Sequence, residues 1–177
     1  TLDETGKTPV AAWLVRAFLE AGGAPALVAR GYGRDELLLH SRWNPGVPVV
    51  AAARRWEGVR QAARSGSDLV VVDDGFQHRK LRRDADIVLL AAETAFPGRS
   101  LPRGPYREQP RALPRADLVV VTRKGAPSEV AAAVAGRVRE YAPAARVARA
   151  RLAAAGWGTL RGGEGSPPDE SPLVVTG

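Results

Sequence analysis

The stretch "DLVVVDDGFQH", residues 68–78, decides the fold. A short run that is apolar on both faces marks a strand inside a parallel sheet covered on both sides. Two acids and a glycine follow it, at the strand end where open α/β sheets bind their ligands. Further along the chain, "DIVLLAA" (86–92) and "DLVVVT" (117–122) repeat the pattern. Shorter strands are predicted at "PALVA" (25–29), "VPVVAAA" (47–53) and near 146–153. Val10, Trp13, Leu14, Ala17, Phe18 and Ala21 follow helical spacing, which predicts a helix over 7–21. Further helices are expected over about 54–65 and 127–141. Strands alternating with helices give an α/β domain with a mainly parallel sheet.

Composition narrows the partners. The chain has 177 residues, 45% of them hydrophobic and 25% charged, with a formal net charge of +7 and no cysteine. That excludes a disulfide framework and thiolate chemistry. The charge suggests an anionic partner, but only Lys7, Lys80 and Lys124 are lysines; the remaining basic residues are arginines scattered through an alanine-rich chain. Compositional Arg/Ala bias explains this as well as a functional anion surface does. No basic blocks interleave with aromatics, so no nucleic-acid partner is expected. No apolar run approaches the roughly 20 residues that span a bilayer.

Four stretches can carry chemistry. "TGKTP" (5–9) opens the first helix. In a strand–loop–helix setting its backbone N–H groups and Lys7 hold phosphates while the Thr8 hydroxyl ligates Mg²⁺. No strand precedes this loop in the sequence, so the chain is expected to be a fragment. Asp73 and Asp74 end the strongest strand, where a magnesium nucleotide needs a carboxylate on its metal. His78 follows them in a polar loop, whereas His40 is expected to be structural or exposed. "LPRGPYRE" (101–108) is stiffened by Pro102 and Pro105, and holds Arg107 and Glu108 in fixed directions, as a transferring phosphoryl group requires. "ARGYGRDELLL" (29–39) follows a strand; Asp35 there either accepts a substrate proton or caps a helix.

Together these residues resemble the tetraacyldisaccharide 4'-kinases of lipid A synthesis. "TGKTP", "RGYGR", "DDGFQHRKLRRDADIVLL" and "LPRGPYRE" occur in family order from about Thr1 to Lys124. The resemblance implies a P-loop NTPase-like α/β fold, a mainly parallel sheet flanked by helices, lacking its first strand and most of a second domain. Residues 1–160 are expected to form the kinase N-terminal domain, and 161–177 a linker and the first strand leading to a missing C-terminal domain. The implied activity moves the γ-phosphoryl of ATP, with Mg²⁺, onto the 4'-hydroxyl of a tetraacylated disaccharide 1-phosphate, the lipid A precursor. The implied location is the cytoplasmic face of the inner membrane, against its anionic surface.

The resemblance assigns Thr5, Gly6, Lys7 and Thr8 to the nucleotide, and Thr8 and Asp73 to the metal. Asp73, Asp74, His78, Arg107 and Glu108 form the catalytic set, with Asp35 as candidate base. Arg30, Tyr32 and Gln77 face the substrate. Asp3 and Glu4 stand where the family has two glycines. Each carboxylate would repel a triphosphate by about 1–4 kcal/mol, depending on local dielectric. That leaves a second reading open, a non-catalytic nucleotide- or anionic-lipid-binding module. A partition-type switch ATPase also carries Gly-Lys-Thr, but has no place for "LPRGPYRE" or "DDGFQH".

Overall fold

The structure, a computed structural model, describes residues 5–31, 34–96, 108–153, 157–158 and 164–165, with backbone alone at 34, 35, 157, 158, 164 and 165. The elements follow the alternation expected: α1 (Lys7–Glu20), β1 (Pro25–Ala29), α2 (Arg34–Trp43), β2 (Val49–Ala51), α3 (Arg55–Arg64) and β3 (Leu69–Val72). Then come β4 (Ile87–Ala91), a 3-10 helix at Pro110–Arg115, β5 (Leu118–Arg123), α4 (Ser128–Tyr141) and β6 (Arg146–Arg151). A two-residue antiparallel pairing joins Trp157–Gly158 to Glu164–Gly165. The linker and strand expected over the rest of 161–177 lie outside the described residues.

All pairings among β1–β6 are parallel, in the orders β2-β1-β3 and β4-β5-β6. β1 is buried along its whole length, because its alternating side chains are covered on opposite faces. Leu27 and Ala29 pack with Ala11 and Val15 of α1, while Ala26 and Val28 pack with Ala62 of α3. Gly58 allows α3 to approach: a Cβ there would lie 2.6 Å from Val28 Cγ1 and 2.8 Å from Ala52 Cβ. In the other sheet, Val119 and Val121 of β5 pack with Val134 and Val138 of α4.

β3 and β4 depart from the expectation of strands covered on both sides. Every residue of Leu69–Val72 is half-buried, as are Ile87–Leu90. The reason is topological. Among the described residues β3 pairs only with β1 and β4 only with β5, so each keeps one unpaired edge. Both strands line one cavity of about 680 Å³.

His40 falls on α2 and is 1% exposed, so it is structural. Its ring meets Trp43 edge-on at 6.4 Å, and neither ring nitrogen has a hydrogen-bond partner among the described residues. Burial pushes its pKa below the usual 6.5. The folded chain therefore holds His40 neutral while the unfolded chain protonates it below that pH. Stability from this group is complete above 6.5 and declines as pH falls from there. Thermal melts at pH 7 and pH 5 are expected to show a smaller drop for His40→Leu than for the parent chain; equal drops would contradict this.

Candidate functional site

Local backbone geometry builds the loop at the start of α1. Gly6 adopts φ +76° and ψ +30°, a left-handed conformation that only glycine takes without strain. A Cβ at Gly6 would also collide with Leu152. The Gly6 carbonyl accepts from Val10 N at 3.1 Å, which starts the helix, and Pro9 falls in the first turn where its missing N–H is harmless. The Lys7 and Thr8 N–H groups lie in the first turn, at the positive end of α1. Thr8 is buried, Lys7 half-buried.

The acids hang from the end of β3. Asp73 N donates to Val28 O at 2.9 Å, extending the β1–β3 pairing. Arg55, 2% exposed, donates from Nε to the Asp73 carbonyl at 3.2 Å and from Nη1 to the Ala52 carbonyl at 2.8 Å. Asp74 then turns at φ +56°, in the left-handed region that few non-glycine residues occupy. The turn brings its Oδ1 to 3.7 Å from Lys7 Nζ. The Lys7 ammonium and the Asp74 carboxylate, separated by more than sixty positions, meet just past the end of β3.

Beyond Asp74, the "GFQH" loop is pinned by arginines. Arg83 Nη1 donates to the Gly75 and His78 carbonyls at 3.0 and 2.7 Å. Arg115 stacks over the Phe76 ring at 4.0 Å, donates to the Phe76 carbonyl at 2.9 Å and pairs with Glu108 at 2.8 Å. Glu108 thus ties the end of "LPRGPYRE" to the "DDGFQH" loop through Arg115. On the far side, Glu93 Oε1 accepts from the amides of Lys124, Gly125 and Ala126 at 2.7, 3.1 and 3.1 Å. Slight desolvation raises its pKa, but these amides outweigh it and bring it to about 2.

Of the residues singled out in the sequence, Thr5, Lys7, Asp73, Asp74, Gln77 and Glu108 border the cavity between β3 and β4. Arg30 lies exposed just past β1, and His78 is exposed on its loop. Tyr32, Arg107 and the Asp35 side chain lie outside the described residues, as do Asp3 and Glu4. Arg55, Glu93, Arg115 and Thr122 escaped the sequence reading. The arginines were masked by the many others in the chain, and a strand-end Thr carries no periodic signal.

Residues 1–174 match the sequence profile of the Tetraacyldisaccharide-1-P 4'-kinase family. The chain belongs to this family. It is 40% identical over 148 residues to the tetraacyldisaccharide 4'-kinase of Syntrophus aciditrophicus (strain SB), covering 69% of this chain and 40% of that protein. It is 41% identical over 143 residues to that of Halorhodospira halophila (strain DSM 244 / SL1), covering 70% of this chain and 43% of that protein. The chain thus spans about two fifths of the length of the curated family members it matches. Among solved structures it resembles the hydrogenase maturation factor HypB from Archaeoglobus fulgidus, with a TM-score of 0.57 at 14% identity. That match covers 83% of this chain and 76% of the other. At this identity the likeness speaks to the fold, which is α/β and P-loop-like.

The donors gathered at this edge are of the kind a magnesium nucleotide uses. Lys7 and the start of α1 offer positive charge, and Asp73 and Asp74 offer carboxylates at the opposite lip. Among the described residues no cluster of three acidic or histidine side chains could hold a metal alone. Mg²⁺ asks for no such cage, since one or two carboxylates with substrate phosphates and water complete its shell.

Proposed function

We propose that this chain carries the nucleotide-binding part of a lipid A 4'-kinase. The observation that carries the reading is the 3.7 Å approach of Lys7 Nζ to Asp74 Oδ1, beside a left-handed Gly6 at the head of a helix. A phosphate-gripping ammonium held beside two adjacent acids, one to orient it and one to face the metal, is the arrangement phosphoryl transfer needs.

When bound, ATP supplies the γ-phosphoryl group and Mg²⁺ offsets its charge. The chain's residues then have separable tasks. Thr5, Gly6 and Lys7 hold the phosphates, and Thr8 with Asp73 faces the metal. Asp74 keeps Lys7 oriented between turnovers. Asp35 takes the proton from the acceptor's 4'-hydroxyl, while Arg107 offsets charge on the transferring group. Glu108 and His78 shape the same edge, with Arg30, Tyr32 and Gln77 toward the disaccharide 1-phosphate. Residues 1–160 form the nucleotide domain, and 161–177 lead out of it. The working location is the cytoplasmic face of the inner membrane, reached peripherally; no helix among the described residues is long and apolar enough to cross a membrane.

Asp3 and Glu4 favour a second reading, a degenerate module that docks anionic lipid or nucleotide without turnover. Phosphoryl transfer from ATP to tetraacyldisaccharide 1-phosphate separates the two. The family member containing this chain is expected to transfer, and the isolated 177 residues to bind Mg·ATP weakly and turn over little. Absence of transfer by the full-length protein would leave the binding module as the better account.

A further inference from the structure

We propose that Thr122 is the positioning residue of the phosphate-binding loop, fixing the Thr5–Gly6 peptide so that Lys7 stands opposite Asp74. The proposal rests on the nucleotide reading of that loop. Thr122 ends the buried part of β5 and is 1% exposed. Its Oγ1 donates to the Thr5 carbonyl at 2.9 Å, across 117 positions of sequence; the Leu90 carbonyl, at 3.4 Å, is the weaker alternative acceptor.

The effect on the loop comes from peptide geometry. Carbonyl and N–H of a trans peptide point opposite ways. A Thr5 carbonyl engaged by Thr122 is therefore kept inside the protein, and the Gly6 N–H is turned away from β5. Were the peptide to flip, the carbonyl would take the place of that N–H and repel a phosphate oxygen. The left-handed Gly6 makes such a flip sterically easy, so a restraint is needed. Leu152 helps by covering Gly6, and is itself held by its N–H on the Arg123 carbonyl at 2.8 Å. Glu93, clamped on the three amides after Arg123, fixes the far end of this support.

The arrangement divides the site between two sheets. The loop is fastened to β5 through Thr122, whereas Asp73 and Asp74 are fastened to β1 and β3. The Lys7–Asp74 approach therefore depends on both anchors.

Thr122→Val keeps the side chain's shape and removes the donor; Thr122→Ser keeps the donor. Titration of the 177-residue chain with a fluorescent Mg·ATP analogue should show about tenfold weaker binding for Thr122→Val, from loss of one hydrogen bond with its positional consequence. Thr122→Ser should bind within about twofold of the parent. In a Lys7→Ala background Thr122→Val should add little further loss, because the residue it positions is gone. Equal binding by Thr122→Val, or an equal loss in both backgrounds, would overturn the proposal. Hydrogen exchange at the Gly6 and Lys7 amides reads the restraint without nucleotide. It should accelerate in Thr122→Val and not in Thr122→Ser, and unchanged exchange would also overturn the proposal. Failure of the parent chain to bind Mg·ATP would instead count against the nucleotide reading alone.

Discussion

Replacing Lys7 by alanine is expected to weaken Mg·ATP binding about 100-fold while leaving the fold intact. Charge-assisted contacts to phosphate contribute roughly 1.5–3 kcal/mol each, and at about 1.4 kcal/mol per decade one or two of them account for that loss. Asp74 adds to it, since its carboxylate keeps facing the site after its ion pair with Lys7 is lost. Stability should barely move. The Lys7 and Asp74 side chains are 38% and 23% exposed, and ion pairs so solvated contribute at most about 1 kcal/mol. The two effects are separable in one preparation, by nucleotide titration and by thermal melt.

Asp74 offers a sharper version of the same test. Without metal, its carboxylate competes with phosphate for the Lys7 ammonium; with Mg²⁺ it becomes useful. Asp74→Asn keeps a residue type that tolerates the observed left-handed backbone. The variant should bind the nucleotide several-fold more tightly than the parent in EDTA and more weakly in excess Mg²⁺. A change of the same sign under both conditions would mean that Asp74 is not at the metal's side of the site.

Much of this was legible from the residues, and the parts that were not fail for physical reasons. The run Leu69–Val72 and its two companions pointed to parallel α/β sheets, the setting in which strands apolar at every position are usual, although β3 and β4 are half-buried beside their open edges. Strand ends were less legible: residues 47–53 read as one strand, yet β2 is only Val49–Ala51, with Pro48 and Ala52 each adding one main-chain hydrogen bond to β1. The meeting of Lys7 with Asp74 could be anticipated, since a helix start and a strand end in this topology share an edge. Arg55, Thr122 and Glu93 could not. Their roles are hydrogen bonds to main-chain atoms distant in sequence, and a main-chain partner leaves no mark on the residue type that presents it. Arg115 is similar: its stacking on Phe76 and its pairing with Glu108 join two stretches that are far apart in the sequence and carry no shared pattern.

The second large effect concerns the gap beneath the site. Among the described residues, β3 and β4 each present an unpaired edge to the same cavity of about 680 Å³, whose lining includes Asp68 and Asp86 as well as Lys7 and Asp74. Unpaired edges offer a row of N–H and C=O groups that a strand satisfies and a hydrocarbon does not. A designed extension of five β-branched residues ahead of Thr1, running parallel to both edges, is therefore expected to stabilise the chain. Burial of such side chains contributes roughly 1.5–3 kcal/mol each, opposed by roughly 1–2 kcal/mol per residue of ordering, with edge hydrogen bonds added. A net gain of about 3–5 kcal/mol corresponds to about 10–15 °C in melting temperature for a domain of this size. The same extension with a central proline and aspartate serves as the control, since it can neither donate to the ladder nor enter an apolar slot. If both extensions shift the melt alike, the gap does not accept a strand. If only the apolar one does, amide exchange at Val70–Val72 and Val88–Leu90 should slow with it. Nucleotide affinity should rise as well, because the anchors of Lys7 and of Asp74 then belong to one continuous sheet.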